Sequence, residues 1–478
     1  MTYKEAVDYL ESFVNYEHVH LPQAMREVPL ERMRRLCRRL GDPQRRFRAV
    51  VVAGTNGKGS IAAMTYSMLR ESRLRAGLYT SPHLEDLRER IRVWPAGGDA
   101  APAAGGAAER SPAPNGLVWG RAAGDDWISE AEFAAAVERL RPALEACRRD
   151  APEAPPTYFE ALTAAAFLHF ARRQVEVAVL EVGMGGRLDA VNVVDQAVSV
   201  FGPIDVDHAD VLGADPVSIA GEKAGILKPR QVALTAPQQD GVAAALRAAC
   251  EEQGVPLWTA GRDLTASVQR HTLDGLQVTL TGLRGIYESL ELPLIGRHQA
   301  LNAALAVGAV EALSGAGVPR ESVEWGLSRV EWPGRLEVVS DEPLVLLDGA
   351  HNAQAAAALR ETLLELCPGR RLHLLVGLSS DKSPERLGEL LGDLVVSATC
   401  TRSRHPRAFD PLELARRLAP FCPDVHVMSD PADAYTYLLN AASASDAIVV
   451  TGSLFLVGEL RRALRQAHVR PRRSSVEA

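Results

Sequence analysis

The first two thirds of the chain alternate short apolar runs with longer amphipathic stretches. Apolar runs of this length, rich in β-branched residues and bounded by glycine or polar residues, are typical of buried strands. A helical pattern, Ser60–Ser72, separates the first two runs. The predicted strands are Phe47–Ala53, Ala76–Thr80, Val175–Val182, Ala197–Phe201 and Gln231–Thr235. Strands that alternate with helices predict βαβ units around a mostly parallel sheet.

The same alternation begins again beyond Pro333 and predicts a second, smaller α/β domain. Helical stretches such as Ala353–Cys367 separate its apolar runs. The predicted strands are Leu344–Asp348, Arg371–Val376, Leu394–Cys400, Val425–Met428 and Ala447–Thr451. Proline and glycine in Glu331–Arg335 stop the preceding helix and predict a hinge. We therefore expect domains at 1–330 and 331–478.

The segment 95–125 interrupts the first series of elements. Its part Pro95–Asn115 is rich in Ala, Gly and Pro and predicts a flexible insertion or loop. The chain of 478 residues exceeds what one hydrophobic core usually organises, which agrees with more than one domain.

The net charge of −7 argues against nucleic acid or an anionic membrane as the main partner. The basic segment Arg32–Arg39 is a local exception. It alternates with Leu30, Met33, Leu36 and Leu40, which predicts an amphipathic helix with a solvated arginine face.

The six cysteines are scattered and form no C-x-x-C pair, which predicts reduced thiols, a cytosolic protein and no zinc site. The N-terminus is amphipathic rather than an apolar signal core, and no apolar run approaches the roughly 18 residues of a membrane span. We expect a cytoplasmic protein.

The glycine-rich turn Ala53–Ser60, AGTNGKGS, follows the first predicted strand and opens the first predicted helix. Successive N–H groups in such a turn form an anion-binding nest, and the helix adds its N-terminal dipole. The usual phosphate loop places the hydroxyl directly after the lysine, whereas Gly59 separates Lys58 from Ser60 here. The alternative is a glycine-rich turn without a ligand. The strand before, the helix after and the Lys and Ser side chains favour phosphate.

Two further clusters follow neighbouring predicted strands. Glu181 closes one of them, where a carboxylate is costly unless it is paired or holds a cation. Asp205–Gly213, which contains His208, follows the next strand. Strand ends near a phosphate loop are where ligands gather in open α/β sheets, so these side chains favour Mg²⁺ and a nucleotide. A strand-end carboxylate that simply faces water is the alternative for Glu181.

Three other stretches stand at element ends. Gly221–Pro229 and Gly296–Asn302 indicate no chemistry by themselves. Val345–Asn352, by contrast, ends a strand in Asp, Gly and His before a helix, where nucleotide oxygens are often bound.

Taken in order, these stretches resemble the folylpolyglutamate synthase and dihydrofolate synthase family, a branch of the Mur ligases. The matching stretches are GTNGKGS at 54–60, TSPHL at 80–84, TYFEALT at 157–163, EVGMGGRLDAVN at 181–192, DHADVLG at 207–213, EKAGI at 222–226, GRHQALNAA at 296–304, WPGRLE at 332–337, DGAHN at 348–352 and TGSLFLVGE at 451–459. The glycine between Lys58 and Ser60 is itself a mark of this family's phosphate loop.

The resemblance implies an α/β fold of Mur ligase architecture, with a large P-loop-type, mostly parallel sheet domain and a smaller Rossmann-like C-terminal domain. It implies ATP and two Mg²⁺ ions as cofactors. The implied ATP-binding residues are Gly54, Thr55, Asn56, Gly57, Lys58, Gly59, Ser60, Asn302, Arg335, Asp348 and His351. The implied metal-binding residues are Ser81, Glu181, His208 and Lys223, the last as a carbamate. Lys58, Lys223 and His208 are the implied catalytic residues, His208 as a ligand rather than a base.

The residues that match the family's substrate contacts are Thr157, His83, Leu188, Asp189 and Ala190. Two departures concern this region. Glu27–Arg32 stands where family members often have Leu-Gly-Leu-Glu-Arg, part of the pterin pocket. Val191 replaces a threonine, so a hydroxyl is absent. His83 could contact folate or cap its loop, and we expect His169 and His373 to be packed rather than catalytic.

The implied reaction adds L-glutamate to dihydropteroate, to reduced folates, or to both, in an ATP-dependent step through an acyl phosphate. The alternatives are an enzyme with one of the two activities, a catalytically silent relative that binds nucleotide or folate, and a ligase for a cell-wall precursor. We expect a monomer that acts on small molecules.

Overall fold

The computed structural model describes residues 1–18, 30–94, 125–206, 213, 215–313 and 317–469. Its Cα packing separates two compact units. The described residues of the first unit are 1–18, 30–83, 87–94, 125–206, 213, 215–313 and 317–332, and those of the second are Leu84–Asp86 and 333–469. The sequence-based domain limits, 1–330 and 331–478, stay a prediction. The predicted insertion at 95–125 lies, except for Asp125, outside the described residues.

The first unit contains nine α-helices and ten strands among its described residues. The helices are α1 (Tyr3–Glu11), α2 (Glu31–Arg39), α3 (Lys58–Glu71), α4 (Glu130–Asp150), α5 (Tyr158–Arg172), α6 (Pro216–Ala224), α7 (Asp240–Gln253), α8 (His298–Ala312) and α9 (Arg320–Ser328). The strands are β1 (Arg48–Ala53), β2 (Ala76–Tyr79), β3 (Ile91–Val93), β4 (Val177–Glu181), β5 (Gln196–Phe201), β6 (Val232–Thr235), β7 (Leu257–Thr259), β8 (Thr265–Thr272), β9 (Gly275–Thr281) and β10 (Ile286–Leu292).

Seven of these strands form one sheet in the order β3-β2-β4-β1-β5-β6-β7. All neighbours pair in parallel except β3, which is antiparallel to β2. Alternate residues of β1 enter two separate cores: Ala49 and Val51 pack into one, and Val50 and Val52 into the other. The sheet is therefore covered on both faces, as the unbroken apolar runs of its strands predict.

The remaining strands of the first unit form a three-stranded antiparallel sheet, β10-β9-β8, which the sequence pattern did not indicate. Its strands lack long apolar runs because one face of this sheet is exposed. Glu311 on α8 holds the turn between β9 and β10, since its carboxylate accepts from the N–H groups of Leu283 and Arg284 and from the hydroxyl of Tyr287.

The second unit has a six-stranded sheet in the order β11-β12-β16-β13-β14-β15. Its strands are β11 (Glu337–Asp341), β12 (Leu344–Leu347), β13 (Leu372–Val376), β14 (Val395–Cys400), β15 (Val425–Val427) and β16 (Ala447–Thr451). Its helices are α10 (Ala353–Leu366), α11 (Pro384–Leu391), α12 (Pro411–Leu418), α13 (Pro431–Ala441) and α14 (Leu454–Val469). Only β11 runs antiparallel to its neighbour. The predicted α/β fold with a smaller, Rossmann-like second domain is confirmed.

One prediction about α2 is wrong in part. The helix forms, but Arg32 faces inward and is buried instead of lying on a solvated face. It pairs with the buried carboxylate of Glu160 on α5, at 2.6 Å, which offsets the cost of burying each charge.

All six cysteines are buried, free thiols. His169 lies buried in α5 and His373 is buried in β13. Among the described residues, none of the helices has the length and apolar character to cross a bilayer.

Candidate active site

The carboxyl ends of four neighbouring strands define the site. Because β1 lies between β4 and β5, its last residues are in register with theirs: Val52 with Glu181, and Ala53 with Phe201. Tyr79 of β2 is in register with Leu180 of β4, so Ser81 follows at the same edge. The topology thus brings together the glycine-rich turn, Ser81 and Glu181, which are far apart in the sequence.

The glycine-rich turn is fixed by backbone bonds to the segment after β5. The N–H of Thr55 donates to the carbonyl of Pro203 at 2.8 Å, and its hydroxyl donates to the carbonyl of Asp205 at 2.8 Å. Gly54 has a φ of 149° and packs against the backbone of Gly202, where a Cβ atom would lie 3.1 Å from the Cα of Gly202. The turn therefore needs glycine at residue 54 for both its conformation and its packing.

Gly57 ends the turn in the left-handed conformation, with a φ of 78°. A Cβ atom there would lie 2.8 Å from Oδ1 of Asn302, which is buried on α8. The structure thus brings Asn302 against the turn, as the predicted nucleotide site requires. Since glycine lacks a capping side chain, the first N–H groups of α3 are left to an external acceptor such as a phosphate.

Lys58 begins α3 and folds back over the turn. Its ammonium group donates to the carbonyls of Gly54 and Thr55 at 3.1 and 3.0 Å. Ser60 follows in the same helix and is buried. The positive charge and the first N–H groups of α3 therefore lie at one end of the helix, where both favour an anion.

Glu181 is the last residue of β4 and is buried. One of its carboxylate oxygens accepts from the N–H of Ser81 at 3.1 Å. A carboxylate and a serine hydroxyl are oxygen donors of the kind that Mg²⁺ prefers, so the chemistry of these two residues fits the predicted metal. Among the described residues no group of three His, Cys, Asp or Glu side chains forms a metal site, and the predicted ligand His208 lies outside them.

The loop after Glu181 is folded around Asp189. This buried carboxylate accepts from the N–H groups of Gly183, Met184 and Val191 at 2.9, 3.1 and 2.9 Å. Burial raises its pKa from 3.8 to about 6, although these three bonds act in the opposite direction. The contacts of Asp189 in the structure are therefore with its own loop.

Lys223 on α6 is buried and points to the glycine-rich turn, where its Nζ donates to the carbonyl of Gly54 at 2.9 Å. The loop after Glu181 packs on the same part of α6: a Cβ atom on Gly186 would lie 2.8 Å from the Cα of Lys223. Lys223, Glu181 and the turn thus belong to one assembly, although Gly221–Pro229 shows no signal of its own.

The other predicted substrate residues make different kinds of contact in the structure. Thr157 caps α5, because its hydroxyl accepts from the N–H of Glu160 at 3.2 Å. His83 accepts at Nδ1 from Nε of Arg90 at 3.0 Å. Ala190 is buried, whereas Leu188 is 41% exposed.

Arg335, Asp348 and His351 lie in the second unit. Asp348 is buried and accepts from the N–H groups of Leu336 and Ala350, both at 2.9 Å. Burial raises its pKa, while Arg335 lowers it. His351 contacts the carbonyl of Gly349 through Nδ1 at 2.8 Å. The structure thus brings these three predicted residues close together at the end of β12.

Three residues of the site carried no clear signal in the sequence. Gly202 supports the turn, and a glycine directly after a strand was the available hint. Asn192 joins the loop to α6, since its Nδ2 donates to the carbonyls of Arg187 and Gly225 at 2.9 and 3.0 Å. Arg90, which holds His83, is buried and pairs with Glu17 at 2.7 Å.

The chain is similar to known proteins along most of its length. Residues 134–310 match the model of the Mur ligase middle domain, and residues 334–454 match that of the Mur ligase, glutamate ligase domain. A dihydrofolate synthase/folylpolyglutamate synthase of Mycobacterium tuberculosis is 34% identical, over 95% of this chain and 94% of the relative. The chain belongs to the dihydrofolate synthase/folylpolyglutamate synthase family of Mur ligases.

Solved structures of this family share the fold. The M. tuberculosis folylpolyglutamate synthase complexed with ADP and AMPPCP is 32% identical, with a TM-score of 0.83 and 98% of each chain covered. E. coli FolC in complex with DHPP and ADP is 28% identical, with a TM-score of 0.81 and 98% of each chain covered. The Mur ligase architecture predicted from the ten motifs is confirmed.

Proposed function

We propose that the protein is an ATP-dependent ligase that adds L-glutamate to dihydropteroate and to reduced folates. The carboxylate of the acceptor is a poor electrophile, so the γ-phosphoryl group of ATP is first transferred to it. The amino group of glutamate then attacks the acyl phosphate, and phosphate leaves. Family membership supports the reaction class, and the names of the relatives support both acceptors.

The observation that carries this proposal is the placement of Lys58, Glu181 and Lys223 around one glycine-rich turn. A cationic side chain and the uncapped start of α3 suit the phosphates of ATP. Phosphoryl transfer requires mainly positioning and charge neutralisation, which such a set of groups provides. The nucleotide-binding roles of Asn302, Arg335, Asp348 and His351 belong to the same proposal.

Ser81, Glu181 and, as a carbamate, Lys223 would hold Mg²⁺. His208, which lies outside the described residues, belongs to the same proposed set of ligands. Bound there, Mg²⁺ neutralises phosphate charge. The residues themselves contribute rigidity: Glu181 is fixed by the N–H of Ser81, and Lys223 is fixed on the carbonyl of Gly54. Carbamylation would turn the side chain of Lys223 into an anion, which favours a second cation nearby.

We further propose that Thr157, His83, Leu188, Asp189 and Ala190 lie near the acceptor, and that the protein acts as a cytoplasmic monomer on small molecules. A folylpolyglutamate synthase without the dihydropteroate activity is the second candidate, because Glu27–Arg32 departs from the family's pterin segment.

The test is glutamate-dependent release of ADP and phosphate by the purified full chain, with dihydropteroate and tetrahydrofolate offered separately. Activity with both acceptors is expected. Activity with tetrahydrofolate alone selects the second candidate, and activity with neither acceptor refutes the ligase proposal.

A further inference from the structure

Helix α9 and the residues that follow it run antiparallel along α3. Near the end of α3, the hydroxyl of Ser322 donates to the carbonyl of Glu71 at 3.0 Å. In the middle, the hydroxyl of Ser67 donates to the carbonyl of Gly326 at 2.7 Å. A Cβ atom on Gly326 would lie 2.4 Å from the Cα of Met68, so the two helices approach to backbone contact. The register of the segment along α3 is thereby fixed.

Trp332 lies at the end of this segment and reaches the first turn of α3. A Cβ atom on Gly59 would lie 2.8 Å from Cζ2 and 3.1 Å from Nε1 of its indole. The indole thus occupies the space that a side chain at residue 59 would need. Gly59 is the residue that separates Lys58 from Ser60, so the packing explains the unusual glycine of this turn.

Arg92 on β3 approaches the same indole ring, with its guanidinium carbon 5.6 Å from the ring centroid. The indole therefore has Gly59 as one neighbour and a cation as another. Its Nε1 is buried and has no hydrogen-bond partner among the described residues. The contact is accordingly one of ring packing rather than hydrogen bonding.

We infer that Trp332 is a positioning residue for the phosphate loop, which it holds through Gly59 in the first turn of α3. The inference rests on the proposed function, because the groups it positions are Lys58, Ser60 and the N–H groups of the turn. Trp332 is also the last residue of the first unit, so the connection to Pro333 leaves that unit at the phosphate loop.

The substitutions Trp332→Ala, Trp332→Phe and Gly59→Ala separate the contributions. Because misplacement of reacting groups by about 1 Å costs roughly 10²-fold, we expect Trp332→Ala to lower kcat/KM for ATP at least about tenfold. The KM for tetrahydrofolate should stay unchanged. Trp332→Phe keeps an aromatic ring but lacks the benzo ring of the indole, which contains the contacting Cζ2 atom, so its loss in kcat/KM should lie between wild type and Trp332→Ala. Trp325→Ala is the matched control, since Trp325 is 52% exposed on α9.

The double variant Gly59→Ala/Trp332→Ala tests the contact itself. Loss of the indole makes room for the methyl group, so the double variant should be no worse than the more damaged single variant. Additive losses would refute the packing relationship. Unchanged kinetics of Trp332→Ala, or a larger loss in Trp332→Phe than in Trp332→Ala, would refute the positioning role.

Amide hydrogen exchange of peptides that cover residues 57–66 gives a readout independent of activity. Trp332→Ala should accelerate exchange there, and Trp325→Ala should not. If the wild type forms no ADP with either acceptor, the ligase proposal fails while exchange and the affinity for ADP still test Trp332. Unchanged exchange in Trp332→Ala would refute the inference even in an active enzyme. If Trp332→Ala does not fold, Gly59→Ala and Trp332→Phe are compared with wild type in the same measurements.

Discussion

The Nζ atom of Lys223 lies 2.9 Å from the carbonyl oxygen of Gly54. This bond joins the last turn of α6 to the start of the glycine-rich turn, across 169 residues of sequence. Gly54 is at the same time packed against Gly202, so its carbonyl has little freedom to turn away. Lys223 therefore supports the turn directly, in addition to any role as a carbamate.

Replacing Lys223 with Ala should abolish glutamate-dependent ADP release, because the carbonyl of Gly54 then loses a buried donor beside the phosphates. Carbamylated lysine keeps one N–H on Nζ, so both forms of the side chain can make this bond. Lys4→Ala is the control, since the side chain of Lys4 is 86% exposed. Turnover near the wild-type rate in Lys223→Ala would contradict the assignment.

Replacing Lys58 with Ala should leave the fold intact and remove activity. Within the described chain its ammonium group donates to two carbonyls of its own turn and makes no ion pair within 4.0 Å, so its loss strands no buried carboxylate partner. Calorimetric titration with ADP, together with thermal unfolding, checks both parts. Near-normal turnover in Lys58→Ala would contradict the phosphate-binding role of Lys58. Near-normal turnover in Glu181→Ala would contradict the metal-binding role of Glu181.

Asp189 should make stability depend on pH between its unfolded and folded pKa values. Its folded pKa, about 6, is raised above the ordinary 3.8 by burial, so the folded state binds more protons in this window. Stability contributed by the neutral acid is therefore lost as pH rises from 3.8 to about 6. The variant Asp189→Asn cannot titrate, and its stability relative to wild type should improve across the same window.

Thermal unfolding of both proteins at several pH values between 4 and 7 measures this difference. Asp215, which caps α6, is the control because its pKa is lowered by the hydroxyl and N–H groups of Ser218. Its contribution is complete about one pH unit above the unfolded pKa of 3.8, so the difference between wild type and Asp215→Asn should be flat from about pH 5 upward. A flat difference for Asp189→Asn as well would refute the raised pKa.

Replacing Glu311 with Ala should destabilise the first unit by about 2 to 5 kcal/mol, because three donors lose their buried acceptor. Those donors are the N–H groups of Leu283 and Arg284 and the hydroxyl of Tyr287. Glu291→Ala is the control: it breaks an exposed pair with Arg270, worth about 0 to 1 kcal/mol. Urea unfolding measures both, and equal effects of the two variants would contradict the buried role of Glu311.

Ten of the thirteen described strands of the two large sheets could be predicted from the sequence because buried parallel strands are unbroken apolar runs; the edge strands β3, β7 and β11 were missed. Ala447–Thr451 has the predicted limits, and Arg48–Ala53 differs from its prediction by one residue. The sheet β8–β10 escaped prediction because alternating exposure leaves no such run. The prediction that Arg32 is solvated was wrong because the helical pattern of α2 does not reveal that α5 brings a carboxylate, that of Glu160, against it.

The sequence by itself determined the family, since ten ordered motifs and the inserted Gly59 depend only on residue identity and spacing. The tertiary structure decided which of those motifs meet. Gly221–Pro229 and Gly296–Asn302 indicated no chemistry by themselves. In the structure, Lys223 contacts Gly54 and Asn302 contacts Gly57. The reason is topological: the strand order β4-β1-β5 and helix packing set these distances, and neither is encoded in any local stretch. The reason for Gly59 likewise became visible only with the indole of Trp332 beside it.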